Sequence, residues 1–359
     1  MSIHFHPLSI RKIQKETADC VSVEFNIPES LKENFQFKQG QSLTMRAIIN
    51  GEEVRRTYSI CSSPLDKKLR VAIKKVDGGL FSTFANEQLK KNDIVEVMQP
   101  IGKFYVELNP SNKKNYLGIA AGSGITPLLS IIKTTLQTEP GSSFTLVYGN
   151  KSRSSIIFFE ELEGLKNKYL QRFNFINILS RERTDAAINF GRIDKAKLNE
   201  LEKLVDYTSL DDTFICGPEE MIFLVKDYLT TRGIDKKKIH FELFTTPGQK
   251  KSGASSREPG MDSGPKSRIS VKLDGRSFDF DLSFTSELSI LDAALKQGAD
   301  LPFACKGGVC CTCKARLLEG EVSMDVHWGL EEEEVEQGYI LTCQSHPTTD
   351  KVVVDFDVK

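Results

Sequence analysis

Four cysteines near the end of the chain have a spacing that suits a metal centre. Cys305, Cys310 and Cys313 form a C-x4-C-x2-C motif, and Cys343 follows 30 residues after the third of them. Four thiolates at this spacing are a ligand pattern for a [2Fe–2S] cluster, which carries one electron at a time. The motif therefore predicts a redox centre, and the rest of the chain must supply its electrons.

Zinc binding and disulfide formation are the alternative uses of these cysteines. A structural zinc site favours two short C-x2-C pairs, whereas this chain has one short pair and two single cysteines. Disulfides need an oxidising compartment, and the opening sequence MSIHFH lacks the basic and apolar regions of an export signal. We therefore expect reduced cysteines and a cytoplasmic protein. Cys311 is out of register with its neighbours and is interpreted as a loop residue, while Gly307 and Gly308 let backbone N–H groups approach the sulfurs.

Two stretches in the first third of the chain suit a flat, phosphorylated ligand. Residues 56–59 read RTYS, so on a strand Arg56 and Tyr58 face one side and Ser59 faces the other. Residues 78–83 read GGLFST, which is typical of an anion-binding turn. In such a turn Gly79 brings the backbone close, and Ser82 is expected to start a helix whose amides point at phosphate.

Two glycine-containing turns in the middle of the chain are typical of a nucleotide site. Residues 116–121 are expected to form a buried strand, which the GSGITP turn at residues 122–127 joins to a helix with apolar residues at helical spacing. Gly122 and Gly124 thus fall where a dinucleotide pyrophosphate is expected, although the third glycine of the usual fingerprint is absent. Residues 216–218 read CGP at a second strand end. A buried cysteine in a sheet is more often inert core, so this motif is informative only beside the first turn.

The residues that follow the strand expected at 173–179 indicate whether NADPH or NADH binds. Ser180 and Arg181 follow it, where the adenosine ribose should lie. No acidic residue lies directly at this strand end to bind a free 2′-hydroxyl, and Arg181, with Arg153 and Ser180, suits a 2′-phosphate. NADPH is therefore favoured, and NADH stays possible because Glu182 is next in the sequence.

The length and the pattern of apolar residues indicate that three domains position these side chains. A chain of 359 residues exceeds one ordinary core. Residues 1–110 contain short β-rich segments between turn residues, which predict a small antiparallel barrel. These segments are residues 20–27, 42–49, 55–62, 69–76 and 94–99. Residues 111–245 alternate strands and helices, which predicts a doubly wound parallel sheet. Its further strands are expected at residues 144–148, 173–179, 213–216 and 239–244.

The remaining residues predict a linker and a small third domain. Residues 246–267 are crowded with Gly, Ser, Pro and Lys and are expected to form the linker. Residues 268–359 begin with a hairpin and a helix before the cysteine motif, which predicts a β-grasp fold. Its elements are expected at residues 269–273, 277–281, 290–297, 314–317 and 352–356.

Charge and composition exclude two classes of partner. A net charge of −1 argues against nucleic-acid binding, and no apolar run approaches the roughly 20 residues of a membrane span. The charge is unevenly distributed, because residues 267–359 carry 9 Lys and Arg against 17 Asp and Glu, and the remainder carries 39 against 32. The acidic third domain is therefore suited to electrostatic docking on the basic remainder of the chain. Glu331–Glu334 and Glu336 form a charge run that is either solvated or a docking face.

The RTYS, GGLFS, GSGITP and CGP motifs together resemble the ferredoxin–NADP reductase superfamily. Residues 268–359 resemble plant-type ferredoxins. This resemblance implies FAD in the barrel, a nicotinamide dinucleotide on the parallel sheet, and the [2Fe–2S] cluster in the third domain. It implies Arg56 on the FAD pyrophosphate, Tyr58 against the isoalloxazine, and Ser59 and Cys216 as the catalytic residues beside the position of hydride transfer. The implied cofactor-binding set is completed by Thr57, Gly79, Ser82, Gly122, Gly124, Thr126, Pro127, Arg153, Ser180, Arg181, Gly217, Pro218 and Phe244.

The order of the domains resembles the reductase components of multicomponent oxygenases. In that reading FAD accepts a hydride from NADPH and releases single electrons to the cluster. The chain looks most similar to the reductase subunits of phenylacetyl-CoA epoxidase complexes, which implies the subunits of a di-iron oxygenase as the electron acceptor. A reductase for another oxygenase or hydroxylase, a redox sensor, and a zinc-stapled flavoprotein are the alternatives.

Overall fold

The computed structural model describes residues 4–244 and 265–358. They form two compact units, Phe5–Leu243 and one built mainly from Phe244–Lys359. None of the helices in these ranges combines the length and the apolar character that a bilayer crossing requires.

The first part of the larger unit is the predicted antiparallel barrel. Six strands and one helix form it: β1 Phe5–Thr17, β2 Cys20–Phe25, β3 Ser42–Ile49, β4 Glu52–Ser59, β5 Leu69–Lys74, α1 Leu80–Glu87 and β6 Ile94–Met98. The strand order is β4-β3-β6-β1-β2-β5, and a bridge from Ile60 to Val71 joins the two edges. Alternate side chains of these strands, among them Leu8, Val23 and Met45, fill the interior. The barrel is therefore a packed core, and ligands must lie on its outside.

Strand β1 is the element of the barrel that the sequence pattern missed. It contains Pro7, which is unusual inside a paired strand, and its register with β2 is irregular at two places, between Ile10 and Lys12 and between Lys15 and Thr17. These interruptions hide the alternation that a strand normally shows. Tertiary pairing with β2 on one side and β6 on the other nevertheless holds it in the sheet.

The second part of the larger unit is the predicted doubly wound sheet. Its elements are β7 Asn115–Ala121, α2 Ile125–Thr138, β8 Ser143–Asn150, α3 Phe159–Lys168, β9 Phe173–Leu179, α4 Lys195–Leu201, β10 Asp212–Cys216, α5 Glu219–Thr231 and β11 Ile239–Glu242. All five strands are parallel, in the order β11-β10-β7-β8-β9. Strands β8 and β9 follow β7 on one side of the sheet, and β10 and β11 follow on its other side. The position between β7 and β10 is therefore the switch point of the strand order, where sheets of this type bind ligands.

Half-buried ion pairs and one buried hydrogen bond join the barrel to the parallel sheet. Glu161 on α3 accepts hydrogen bonds from Arg70 of the barrel at 2.6 Å and from Lys133 of α2 at 2.8 Å. Lys133 also contacts Asp66 at 2.5 Å, and the hydroxyl of Ser63 lies 2.9 Å from that of Thr134. These contacts fix how the two parts of the larger unit face each other.

The smaller unit has the predicted β-grasp architecture. Its elements are β12 Lys266–Leu273, β13 Arg276–Ser283, α6 Ile290–Lys296, β14 Lys314–Glu319, β15 Val322–Met324, α7 Glu332–Glu336, β16 Tyr339–Leu341, β17 Ser345–Pro347 and β18 Lys351–Asp355. The main sheet has the order β13-β12-β18-β14-β16, and β15 pairs with β17 separately. Helix α6 packs Leu291 and Ala294 into the core beside Ile269 and Val352.

The predicted linker at residues 246–267 lies mostly outside the described residues. Strand β12 begins at Lys266, so the last two residues of that prediction belong to the smaller unit. Ser267 is fully buried there, which is the reason that it cannot act as linker.

Candidate functional site

The four cluster cysteines form two neighbouring pairs. They are Cys305, Cys310, Cys313 and Cys343. The neighbouring Cys305 lowers the pKa of the Cys310 thiol, and the neighbouring Cys313 lowers the pKa of the Cys343 thiol. No three His, Cys, Asp or Glu side chains converge on one ion position in the described part of the chain. Two neighbouring pairs of cysteines suit a [2Fe–2S] cluster, which is held by four thiolates.

Backbone groups of the cluster loop, residues 305–313, point at these sulfurs. The N–H of Gly307 donates to Cys305 Sγ at 3.3 Å, and the N–H of Cys305 donates to Cys310 Sγ at 3.5 Å. Gly308 has φ +75°, and a Cβ there would lie 2.8 Å from Cγ2 of Val326. Only glycine therefore allows the loop to curl at this point. Donors aimed at the sulfurs suit thiolate ligands, so the residues present fit the cluster.

Cys311 lies apart from the four cluster cysteines although it is inside their loop. Its backbone is left-handed, with φ 54°, and its thiol donates to the carbonyl of Gly329. The thiol is thus directed to a neighbouring segment, in agreement with its interpretation as a loop residue.

The RTYS stretch forms the end of strand β4, as predicted. Arg56 is exposed, and its guanidinium contacts the carbonyl of Arg55 at 2.7 Å, whereas Thr57 and Tyr58 are half-buried. The Tyr58 ring packs 5.7 Å from that of Phe81 on α1. Burial raises the pKa of Tyr58 well above its ordinary value, so this side chain is a neutral aromatic surface at physiological pH.

Helix α1 begins earlier than the sequence indicated. Gly79 is the N-cap and Leu80 the first helical residue, so Ser82 lies inside the first turn and does not start the helix. The Ser82 hydroxyl donates to the carbonyl of Gly79 at 3.2 Å and accepts from the N–H of Val76 at 3.1 Å. Ser82 therefore shapes the turn, and the free amides of the helix start are the groups left for an anion.

Ser59 meets a residue that the sequence analysis missed. Its hydroxyl donates to Glu242 Oε2 at 2.9 Å, across the boundary between the barrel and the parallel sheet. Glu242 ends strand β11 and is paired in register with Cys216, the last residue of β10. Burial, and after it the charge of Glu242, raise the pKa of the Cys216 thiol, which therefore stays protonated. The structure thus brings both predicted catalytic residues, Ser59 and Cys216, to one carboxylate.

The two glycine turns meet at the switch point between β7 and β10. A Cβ on Gly124 would lie 2.0 Å from the carbonyl oxygen of Cys216, so only glycine permits this contact. Gly122 has φ +55° with open space where a Cβ would project, and its carbonyl accepts a hydrogen bond from Tyr148 at 2.8 Å. The space above Gly122 suits close approach of a phosphate to the backbone.

Of the other residues predicted around these turns, Thr126 and Pro127 are buried, Gly217 is half-buried and Pro218 is exposed. Thr126 donates to the carbonyl of Ser123 at 2.9 Å, and Pro127 is buried in the first turn of α2. Gly217 packs against Ala121, with a Cβ position 3.2 Å from that of Ala121, and Pro218 is the N-cap of α5.

The residues predicted near the adenosine ribose lie together at the ends of β8 and β9. Ser180 Oγ donates to the carbonyl of Asn150 at 3.3 Å, and both Arg153 and Arg181 are exposed. The carboxylate of Glu182 accepts a hydrogen bond from the N–H of Arg153 at 2.8 Å. This edge therefore contains the cations Arg153 and Arg181 together with the carboxylate of Glu182. Phe244, the last predicted residue, follows β11 and is 41% exposed.

Three family matches cover the two units in the order that the fold shows. Residues 7–105 match the oxidoreductase FAD-binding domain, residues 119–227 match the oxidoreductase NAD-binding domain, and residues 272–348 match the 2Fe-2S iron-sulfur cluster binding domain. FAD, NAD(P)H and a [2Fe–2S] cluster are therefore the cofactors of this chain.

Whole-chain relatives have the same arrangement. The chain is 45% identical to a 1,2-phenylacetyl-CoA epoxidase subunit of Escherichia coli (strain K12), over 99% of this chain and 98% of the relative. It is 32% identical to the 3-ketosteroid-9-alpha-monooxygenase ferredoxin reductase component of Rhodococcus rhodochrous, over 97% and 96%. The structure of phthalate dioxygenase reductase has a similar fold, with a TM-score of 0.58 at 24% identity and 98% coverage of both chains. The chain therefore belongs to the family of NAD(P)H-dependent oxygenase reductases that carry FAD and a [2Fe–2S] cluster.

Proposed function

We propose that this chain delivers electrons from NADPH to the oxygenase subunits of a phenylacetyl-CoA epoxidase. The observation that carries the choice of partner is the 45% identity to the E. coli epoxidase subunit along 99% of the chain. The 3-ketosteroid relative reaches only 32% at similar coverage.

The proposed site of hydride transfer is the group formed by Ser59, Glu242 and Cys216. FAD, when bound, accepts two electrons as a hydride and passes them on singly. Tyr58 would present its neutral ring to the isoalloxazine, and Ser59 would place its hydroxyl near the reactive nitrogen. The 2.9 Å bond from Ser59 to Glu242 holds that hydroxyl in one orientation. The protonated Cys216 would border the nicotinamide without adding charge.

Cations and helix starts are the proposed binding groups for the FAD phosphates. Arg56 is exposed at the end of β4, where it can reach a pyrophosphate, and Thr57 lies beside it. The amides that follow Gly79 at the start of α1 would take the second phosphate contact. Gly78 has φ +70° and open space at its Cβ position, which lets a ligand approach this turn closely.

NADPH is the proposed nucleotide, bound along the switch point. Gly122 and Gly124 would hold its pyrophosphate, with Thr126, Pro127, Gly217 and Pro218 shaping the two turns. The exposed guanidinium groups of Arg153 and Arg181, beside Ser180, support recognition of a 2′-phosphate. Glu182 is the residue that would favour NADH, because a carboxylate can bind a free 2′-hydroxyl. In this structure its carboxylate accepts a hydrogen bond from the N–H of Arg153. Phe244, exposed after β11, is the proposed aromatic partner at the flavin end.

The four cluster cysteines are the proposed ligands of the [2Fe–2S] centre. Cys305 with Cys310, and Cys313 with Cys343, would each hold one iron, following the two pairs of thiols. The N–H groups of the cluster loop would stabilise the negative charge on the sulfurs.

Reconstitution with the epoxidase oxygenase subunits tests the proposed partner. Phenylacetyl-CoA added to this chain alone should leave NADPH oxidation unchanged, whereas its addition together with those subunits should couple NADPH oxidation to formation of the epoxide. Raised ionic strength should slow the coupled rate more than flavin reduction, because surface attraction is screened over about 8–10 Å at physiological salt.

Two outcomes would replace this proposal. Coupling to an unrelated hydroxylase, with none to the epoxidase subunits, would keep the reductase function and discard the partner. The 32% identity to a ketosteroid monooxygenase reductase makes that the second candidate. Negligible turnover with any one-electron acceptor would instead favour a redox sensor.

A further inference from the structure

A recess lies on the outer face of the barrel, where strands β1, β2 and β5 meet helices α2 and α3. Its volume is about 230 Å³, and it adjoins a wider groove of about 550 Å³ that shares Lys12, Glu24 and Lys68 with it. None of the described residues that line the recess or the groove is assigned to the flavin, the nucleotide or the cluster. The two cavities are therefore separate from the residues that serve the three cofactors.

Strand pairing and an ion pair bring the charged side chains of the recess together. Lys12 on β1 pairs with Glu24 on β2, and Glu24 pairs in turn with Arg70 on β5. Paired residues project on the same face of a sheet, so these three side chains form one row across the barrel. Glu161 of α3 accepts hydrogen bonds from Arg70 and from Lys133 of α2. The recess therefore spans the barrel and the parallel-sheet part of the larger unit.

The lining carries more positive than negative charge. Six cations and three carboxylates line the two cavities, which leaves a net charge of +3. Every one of the carboxylates is already in an ion pair with one of these cations. The pairs are Glu24 with Arg11 at 3.2 Å, Asp66 with Lys133 at 2.5 Å, and Glu161 with Arg70 at 2.6 Å. The other three cations are Lys12, Lys68 and Lys91.

These three lysines come from separate segments of the barrel and line one groove. Lys68 and Lys91 are exposed and have no ion-pair partner within residues 4–244 and 265–358. Lys12 Nζ donates to the side-chain oxygen of Gln14, a neutral group, at 2.7 Å. Like charges gathered in one groove repel one another, and an anion bound between them removes that repulsion.

The size and the chemistry of the lining indicate what kind of anion fits. Cavities of about 300–1,000 Å³ are typical of small-molecule sites, and the groove falls in this range. Protein docking surfaces depend on aromatic and other apolar anchors, but every described residue that lines the two cavities is polar or charged. Lysine and arginine bind phosphate groups through charge-assisted hydrogen bonds. The lining therefore favours a small phosphorylated ligand over an acidic protein segment.

We infer that the groove and the recess together bind a small molecule with two or more phosphate groups. Lys12, Lys68 and Lys91 bind its charge in the groove, and Arg70 and Lys133 face it in the recess. Arg70 belongs to the barrel and Lys133 to the parallel-sheet part, so a ligand that contacts both stabilises their packing. This inference goes beyond the proposed function and does not depend on the identity of the electron acceptor.

Calorimetric titration of the full chain with pyrophosphate tests the site. The protein carries FAD and its cluster, and saturating NADP⁺ fills the nucleotide site so that pyrophosphate cannot bind there. The buffer has low ionic strength and no magnesium, because salt screens the attraction. The variants are Lys68→Gln, Lys91→Gln and the double variant. Lys113→Gln is the matched control, since Lys113 is exposed, precedes β7 and lines neither cavity.

The wild type should bind one pyrophosphate per chain, and orthophosphate, which has fewer charges, should bind more weakly. Each single variant should raise the Kd for pyrophosphate about fivefold, the upper end for an exposed ion pair, and the double variant about 25-fold. Pyrophosphate should also raise the unfolding temperature of the wild type more than that of the double variant. Lys113→Gln should match the wild type. All variants should keep the visible spectrum and the wild-type rate of flavin reduction by NADPH.

Three results would overturn the phosphate site. They are a lack of saturable binding to the wild type, an unchanged Kd in the double variant, or an equal loss in Lys113→Gln. A hexaglutamate peptide that displaces pyrophosphate and binds more tightly would assign the groove to an acidic protein segment instead. Failed reconstitution with the epoxidase subunits would remove the proposed partner and leave these titrations unaffected, so the two proposals fail separately.

Discussion

Replacing Glu242 with glutamine should slow reduction of the flavin by NADPH without releasing FAD. The change keeps the shape of the side chain and a hydrogen-bond acceptor for Ser59, and it removes the charge. The Ser59 hydroxyl is 4% exposed and donates to Glu242 at 2.9 Å, so water cannot readily replace the bond. A hydrogen bond to a charged group is worth about 1.5–3 kcal/mol, against about 0.5–1.5 kcal/mol for a neutral one. The difference of about 1–1.5 kcal/mol corresponds to a rate about 5- to 12-fold lower.

Ser59 and Glu242 are expected to act as one unit, because a hydrogen bond joins their side chains. Ser59→Ala alone should lower the rate by a similar or larger factor. In the double variant the second substitution should then add little, because the bond that it would remove is already gone. Stopped-flow absorbance of the flavin after mixing with NADPH measures all four rates of this cycle. Glu52→Gln, an exposed carboxylate on the same strand as Ser59, is the control and should leave the rate unchanged.

Two results would refute this account of the site. A wild-type rate in Glu242→Gln would show that the charge does not act on the reaction. Fully multiplicative losses in the double variant would show that the two side chains contribute separately and that the 2.9 Å bond is incidental.

Three further predictions concern the other parts of the chain. Serine at any of the four cluster cysteines should remove the visible and electron-paramagnetic signals of the cluster and preserve flavin reduction by NADPH. Cys311→Ser, the control, should keep the cluster signals and flavin reduction. Loss of the cluster signals in Cys311→Ser, with retention in one of the other four variants, would disprove the ligand assignment. Arg181→Ala should raise the KM for NADPH about 10- to 150-fold, from loss of a charged contact worth about 1.5–3 kcal/mol, and leave the KM for NADH nearly unchanged; equal losses would place Arg181 outside the ribose pocket. Burial raises the pKa of Glu161, but Arg70 and Lys133 more than offset this and hold the pKa below its ordinary value. Glu161→Gln should therefore lower the unfolding free energy by about 1–3 kcal/mol at neutral pH. The stabilising contribution is complete above the ordinary pKa of a glutamate and disappears as the pH falls through the lowered pKa, so melting curves of variant and wild type should converge in acid. A constant difference at every pH would contradict this assignment.

Local patterns in the sequence were sufficient for much of the fold. Strands β3 and β9 begin and end at the predicted residues, because their apolar segments are bounded by turn residues on both sides. The three-residue strands β15, β16 and β17 were missed. Strands β15 and β17 are held mainly by pairing with each other, and β16 is held by pairing with β14. The start of α1 was misplaced because the two glycines before it obscure the cap.

The sequence by itself determined which cofactors this protein uses. Thiolates at C-x4-C-x2-C spacing, and glycines at turns that must approach a phosphate or a sulfur, are requirements of local backbone geometry and can be recognised within a few residues. Glu242 illustrates what only the tertiary structure decided. A carboxylate at the end of a strand is visible in the sequence, but its partner Ser59 is 183 residues away. The pairing of β10 with β11 and the packing of the barrel on the parallel sheet bring Cys216, Glu242 and Ser59 together. In the same way, the hydrogen bond from Gly329 to Gly308 holds a second segment of the chain on the cluster loop. Contacts between distant segments depend on how whole sheets pack, and no local pattern in the chain records them.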